Sequence, residues 1–133
     1  MSERNIGRVI SIDSFRVFIE LDTDIKGLYK NSFFDLHEVA KINSYVIIPV
    51  NAEKIVAMIT KVKVNDETEI ESLSGTISLP KSKRFIIATM MGTIVEKNEG
   101  LEYLQGVYNY PILDNPVWYI MEEDLRVIFD FKT

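Results

Sequence analysis

The chain has 133 residues, 15 of them Lys or Arg and 20 Asp or Glu, for a formal net charge of −5 at pH 7. Its hydrophobic share of 47% suits one folded domain with its own core and argues against a disordered chain. Cysteine is absent and His37 is the one histidine, which excludes disulfides, thiolate metal sites, a cysteine nucleophile and paired-histidine relays. The acidic balance speaks against gripping nucleic acid by bulk charge.

The start of the chain is polar, with no apolar stretch behind it. The longest apolar runs, 45–50 and 85–88, fall far short of the roughly 18 residues of a membrane span. A cytoplasmic protein with no membrane partner is expected.

Residues 6–12 read as a strand. In 15–22, Phe15, Val17, Ile19 and Leu21 alternate with Arg16, Glu20 and Asp22, Phe18 being the exception. Period two with β-branched and aromatic residues predicts a half-buried strand. Asp13-Ser14 between the two suits a tight turn, so a hairpin is expected. Residues 45–50 form a nearly continuous apolar run. Pro49 cannot donate to a sheet ladder, which places it at an edge or a strand end. After a turn at 51–53, residues 55–64 begin apolar on both faces and become one-sided, Val62 and Val64 lying opposite Lys61 and Lys63. That change predicts a strand that starts inside and runs outward.

Residues 65–83 are polar and mixed, interrupted by Gly75 and Pro80, with a short strand expected at 76–79. Residues 84–96 return to strand, and Gly92 within them marks a bulge or bend of the kind a small barrel needs to close. Residues 98–100 read as a turn. In 121–129, Met121, Leu125, Ile128 and Phe129 recur at helical spacing, and Glu122, Glu123 and Asp124 fill a first turn where acids favour the helix dipole. The usual N-cap residues are missing upstream. The expected fold is mainly β, a small six-stranded β-barrel with a short C-terminal helix. Periodicity leaves an open sandwich as the alternative.

Motifs that carry chemistry are scarce. The six glycines have no phosphate-loop spacing. Glu20, Asp22 and Asp24 resemble the start of a calcium loop, but Lys26 and Phe33 stand where oxygen ligands are needed, so a solvated acidic turn is the simpler reading. His37 has no arranged partner for a catalytic triad. Lys61, Lys63, Lys81, Lys83 and Arg84 form a basic minority that would touch phosphates only if they converge, and Phe85 beside them fits the strand core. Aromatic groups gather at Tyr29, Phe33 and Phe34, and again at Tyr103, Tyr108, Tyr110, Trp118 and Tyr119. Such groups serve as interface anchors, or they plug a barrel mouth and seat the helix.

Several segments, in order, resemble a known family. They are Ile6-Gly7-Arg8-Val9-Ile10, Ile42-Asn43-Ser44-Tyr45-Val46-Ile47-Ile48-Pro49-Val50 and Ile55-Val56-Ala57-Met58-Ile59-Thr60-Lys61-Val62. The ending adds Pro111-Ile112-Leu113-Asp114-Asn115-Pro116-Val117-Trp118-Tyr119, Glu122-Glu123-Asp124-Leu125 and Ile128-Phe129. Together they resemble the N-terminal domain of HerA-type ATPases, hexameric DNA translocases of the FtsK–HerA group. The likeness is weakest over 65–83.

The resemblance implies a HAS-barrel, the six-stranded barrel also met at the N-terminus of rotary ATP synthase subunits. It implies residues 1–115 as the barrel and 116–133 as an exit strand and helix leading to an ATPase domain. It implies a non-catalytic assembly and docking role, with self-association in a hexameric ring and an effector partner such as a NurA-type nuclease or a sirtuin-like NADase. Work in DNA end processing or anti-phage defence follows. No cofactor is expected in this chain: ATP, Mg²⁺ and most DNA contact belong to the absent motor domain of the parent enzyme, since the Walker motifs follow the helix in that family. The chain is thus expected to be the front part of a longer protein. The expected interface residues are Arg8, Arg16 and Glu20 on the first hairpin and Tyr29, Phe33 and Phe34 in the connection. The alternative is a stand-alone small barrel that binds nucleic acid or acts as an adaptor.

Overall fold

A computed structural model describes residues 4–22, 29–31, 36–38, 41–65, 83–98 and 100–129, with backbone alone for 29–31, 36–38, 64 and 65. Strands dominate. They are β1 (Asn5–Asp13), β2 (Arg16–Leu21), β3 (Tyr29–Asn31), β4 (Leu36–Glu38), β5 (Tyr45–Val50), β6 (Glu53–Asn65), β7 (Lys83–Lys97), β8 (Gly100–Gln105) and β9 (Pro116–Tyr119), followed by helix α1 (Glu122–Ile128).

Six strands close an antiparallel barrel in the order β1-β2-β7-β6-β5-β9 and back to β1. The expected barrel with its short C-terminal helix is therefore the observed architecture. Strand β8 lies outside the ring on β7, and β3 and β4 form a separate hairpin. Neither β8 nor the β3–β4 pair was expected. Strand β9 pairs with both β1 and β5. Strand β9, in the segment from residue 116 expected to lead out of the barrel, is thus one of its staves, and helix α1 follows it.

Alternation fills the interior. Ile6, Val9, Val17, Ile19, Val46, Ile48, Ile55, Ile59, Ile86 and Val117 are fully or almost fully buried and form one cluster with Leu21, Ala57, Ala88, Met90 and Tyr119. Each buried Ile or Val adds about 1.5–3 kcal/mol over its exposed state, enough in sum to drive closure. Gly7 on β1 has no room for a side chain, because a Cβ there would meet the Glu20 carbonyl oxygen at 2.2 Å.

Two bulges shape β6 and β7. Val56 pairs with Gly92 and Ala57 with Met90, so Met91 is the extra residue, one position before the glycine expected to mark a bulge. Below this point β7 pairs with β2 through Phe85–Thr89; above it β7 pairs with β8 through Gly92–Lys97. The bulge sits where the long strand leaves the ring. A second bulge at Thr60 separates the pair Ile59–Ala88 from the pair Lys61–Ile87.

Pro49 lies past the last pair of β5 with β9, Ile47–Trp118. Its carbonyl, left without a ladder partner on that side, accepts a hydrogen bond from Asn115 Nδ2 at 2.8 Å. The buried Asn115 thereby links β5 to β9, while its own carbonyl accepts from the Val9 N–H at 2.9 Å.

Helix α1 packs on the outside of the barrel. Val127 and Ile128 join Tyr45, Tyr103, Trp118 and Ile120 around the buried Ile47, Val56 and Ile94. The missing N-cap has a structural substitute: the Met121 N–H donates to Asp124 Oδ2 at 3.0 Å, the reaching-back half of a capping box.

Candidate interaction surfaces

The expected contact residues on the first hairpin are already engaged within the chain. Arg8 pairs across the sheet with Glu20 at 2.9 Å and with Asp114 in the loop before β9. The hydrogen bond to Asp114 raises the Arg8 pKa above its ordinary value; desolvation opposes this and the charges of Glu20 and Asp114 support it. Glu20 also faces Lys83 at 3.8 Å. A ladder of alternating charge thus runs from the β9 loop across β1 and β2 to β7. Arg16 pairs with Asp13 at 3.2 Å and lies over the Phe18 ring at 5.9 Å. Tyr29 begins β3, where its backbone pairs with Glu38 of β4. Phe33 and Phe34 lie outside the described residues. His37 pairs with Lys30 in the same hairpin. Among the described residues, no three acidic or histidine side chains converge as metal ligands.

One end of the barrel carries an apolar surface that the expected residues missed. The loop 106–115 lies over the β1–β2 and β5–β6 turns, held by the Phe15–Tyr110 ring contact at 6.3 Å and by Asn109 Nδ2 donating to Glu53 at 2.8 Å. Phe15, Tyr108, Tyr110, Ile112 and Leu113 are between 44% and 72% exposed there. Phe15 was expected on the buried face of its strand. The two-residue turn is instead Ser14-Phe15, with Ser14 at φ 57°, so Asp13 pairs with Arg16 and the alternation starts one residue later. The signal available in the sequence was the run of apolar and aromatic residues Val107, Tyr108, Tyr110, Ile112 and Leu113 in a stretch without strand or helix period.

The C-terminal aromatics divide by role. Tyr119 belongs to the barrel core. Tyr103 and Trp118 seat the helix. Burial, with the nearby Tyr45, pushes the Tyr103 phenol above its usual value. Tyr108 and Tyr110 face solvent at the apolar end.

A second surface lies on the outer face of β2, β7 and β6. Phe18 pairs with Ile87, and Ile87 with Lys61; in the next row Glu20 pairs with Phe85, and Phe85 with Lys63. Phe85 was expected in the core. Its neighbours Ile86 and Ala88 point inward, so alternation sends Phe85 and Ile87 outward. The basic minority converges in part: Lys61, Lys63 and Lys83 share this face. Arg84 alternates away, and Lys81 lies outside the described residues.

No described helix is long and apolar enough to cross a membrane. No protein-family model matches the chain, and no curated protein matches it.

Proposed function

We propose that this chain is a non-catalytic assembly and partner-docking barrel of a HerA-type ATP-driven DNA translocase. Two things support the reading: the ordered resemblance of its segments, and a closed six-stranded barrel of the kind that resemblance implies. The observation that carries the docking role is the apolar end formed by Phe15, Tyr108, Tyr110, Ile112 and Leu113. Several large apolar groups left exposed on one loop and the adjacent turn of a folded domain mark a surface for another protein. Two arginines at its rim are paired within the chain, Arg8 with Asp114 and Arg16 with Asp13, which lowers the charge a partner meets there.

In this reading the barrel is a collar. Copies meet head to tail around a ring, and an effector such as a nuclease or an NAD-consuming enzyme docks on several copies at once, gaining avidity. ATP, Mg²⁺ and the main DNA contacts belong to a motor domain that follows α1.

The test starts from the gene. The reading frame beyond Thr133 is expected to encode a Gly-rich phosphate loop, and the encoded protein to sediment as a ring. Ile112→Ser combined with Tyr110→Ser should weaken ring assembly or effector capture while leaving the barrel folded. A reading frame without a phosphate loop would overturn the proposal, as would assembly and capture indifferent to those substitutions.

A further inference from the structure

The outer face of β2, β7 and β6 breaks the hydrophobic pattern in a directed way. Phe18 is the apolar exception in an otherwise alternating strand, and Phe85 follows an outward course beside inward Ile86. They occupy diagonal positions, because Phe18 pairs with Ile87 while Phe85 stands two residues before it. Diagonal neighbours across an antiparallel pair lie about 7–8 Å apart. Both rings are half-buried and keep a solvent-facing part, with Ile87 8% exposed between them.

The bulge at Thr60 sets the other half of the surface. Ile59 is inward and fully buried, so unbroken alternation would turn Lys61 and Lys63 inward and Val62 out. The extra residue reverses that parity. Lys61 and Lys63 are exposed beside Ile87 and Phe85, and Val62 packs against the core. Thr60 Oγ1 donates to the Ile87 carbonyl at 3.2 Å and holds the bulge. Bulges occur at sheet edges and barrel rims as well as beside functional sites, and here the bulge re-aims two lysines.

The charges on this face are unequal. Glu20 is covered by Arg8 and Lys83, and Arg16 reaches over Phe18. Neither Lys61 nor Lys63 has an ion pair among the described residues. Local positive charge in a chain of net charge −5 favours an anionic ligand at this place. Two aromatic platforms flanked by a pair of lysines in register match a polyanion that carries flat apolar groups between its charges.

We infer that Phe18, Phe85, Lys61 and Lys63 form a binding face for single-stranded nucleic acid, the bases stacking on the two rings and the phosphates following the lysines. The inference does not rest on the collar reading and goes beyond it, since that reading leaves DNA to another domain.

The test is fluorescence anisotropy of the chain with a labelled mixed-sequence single strand of about 16 nucleotides, titrated across salt. Binding that weakens as salt rises is expected. The double variant Lys61→Gln/Lys63→Gln should lower the slope of log affinity against log salt by about 1.4, as two lost phosphate contacts on a single strand require. Phe85→Leu should weaken binding roughly fivefold or more with an unchanged slope, because it removes stacking and keeps an apolar side chain. Circular dichroism of each variant confirms that it is folded. Absence of binding at low salt, equal affinity for duplex, equal competition by polyglutamate, or affinity unmoved by the lysine pair would each overturn the inference.

Discussion

Asp124, in the first turn of the helix, accepts a hydrogen bond at 2.5 Å from Arg4, which lies 120 positions earlier in the chain. Asp124 is 2% exposed and Arg4 14%. The Arg4 guanidinium also donates to the Tyr119 carbonyl at 2.7 Å and stacks over Trp118 at 5.0 Å. Lys54 approaches the other Asp124 oxygen at 3.8 Å. One carboxylate therefore joins the start of β1, the β5–β6 hairpin and the helix.

Removing that carboxylate takes a buried counter-charge away from the largely buried Arg4 guanidinium and from Lys54. Asp124→Ala is expected to destabilise the fold by roughly 3 kcal/mol, as for other broken buried pairs. Trp118, the single tryptophan, lies in the same cluster, so its fluorescence reports whether the helix leaves the barrel before the barrel unfolds. Chemical denaturation followed by Trp118 emission and by far-UV circular dichroism checks this. Coincident, unshifted curves would contradict it.

Two glycines should respond differently to alanine. At Gly7 the added Cβ meets backbone, the Glu20 carbonyl oxygen and Leu21 Cα, so the β1–β2 ladder itself must shift. At Gly92 it meets the outer end of the Tyr103 ring, 2.3 Å from the hydroxyl oxygen, and that side chain can swing away. Gly7→Ala is expected to cost about 3 kcal/mol or to prevent folding, and Gly92→Ala about 1–2 kcal/mol. Thermal unfolding of the two variants side by side gives the comparison.

Tyr103 supplies a pH dependence. Its phenol is raised above the ordinary value of 10.0 by burial and by Tyr45. In the unfolded chain it would ionise near that ordinary value. Its contribution to stability is therefore complete below pH 10 and is lost as pH rises through the higher folded value. Alkaline melts of the native chain should fall more steeply than those of Tyr103→Phe, which has no proton to lose. Gly92→Ala, by displacing the ring, should bring the Tyr103 titration back toward its ordinary range in a spectrophotometric titration.

The apolar end should be dispensable for folding. Ile112 and Leu113 are 72% and 60% exposed, so Ile112→Ser and Leu113→Ser should change stability by no more than about 0.5 kcal/mol. Their effect should appear instead in association, as slower sedimentation of assemblies or lost partner capture. A large loss of stability would show that these side chains serve the barrel rather than a partner.

Much of the barrel was legible in the order of residues. Alternation at Val17, Ile19 and Leu21, the apolar run 45–50 and the change of character along β6 each reflect local geometry, since a strand turns successive side chains to opposite faces. The helix was legible from its 3.6-residue spacing and acidic first turn. The surfaces were less so. Arg8 and Glu20 are polar in sequence, but their pairing with Asp114 and Lys83 depends on which strands lie side by side.

What the sequence by itself determined was the long barrel strands β1, β2, β5, β6 and β7, most of their buried faces and the final helix, because periodicity is written residue by residue. Only the tertiary structure decided parity and neighbours. The bulges at Thr60 and Met91 shift alternation through pairing with another strand, and a one-residue shift reverses which side chains face out. That is why Phe85 and the two lysines came to share an outer face. Phe15 left the core when the turn moved one residue, and Asp124 found Arg4 only once β9 had closed the ring.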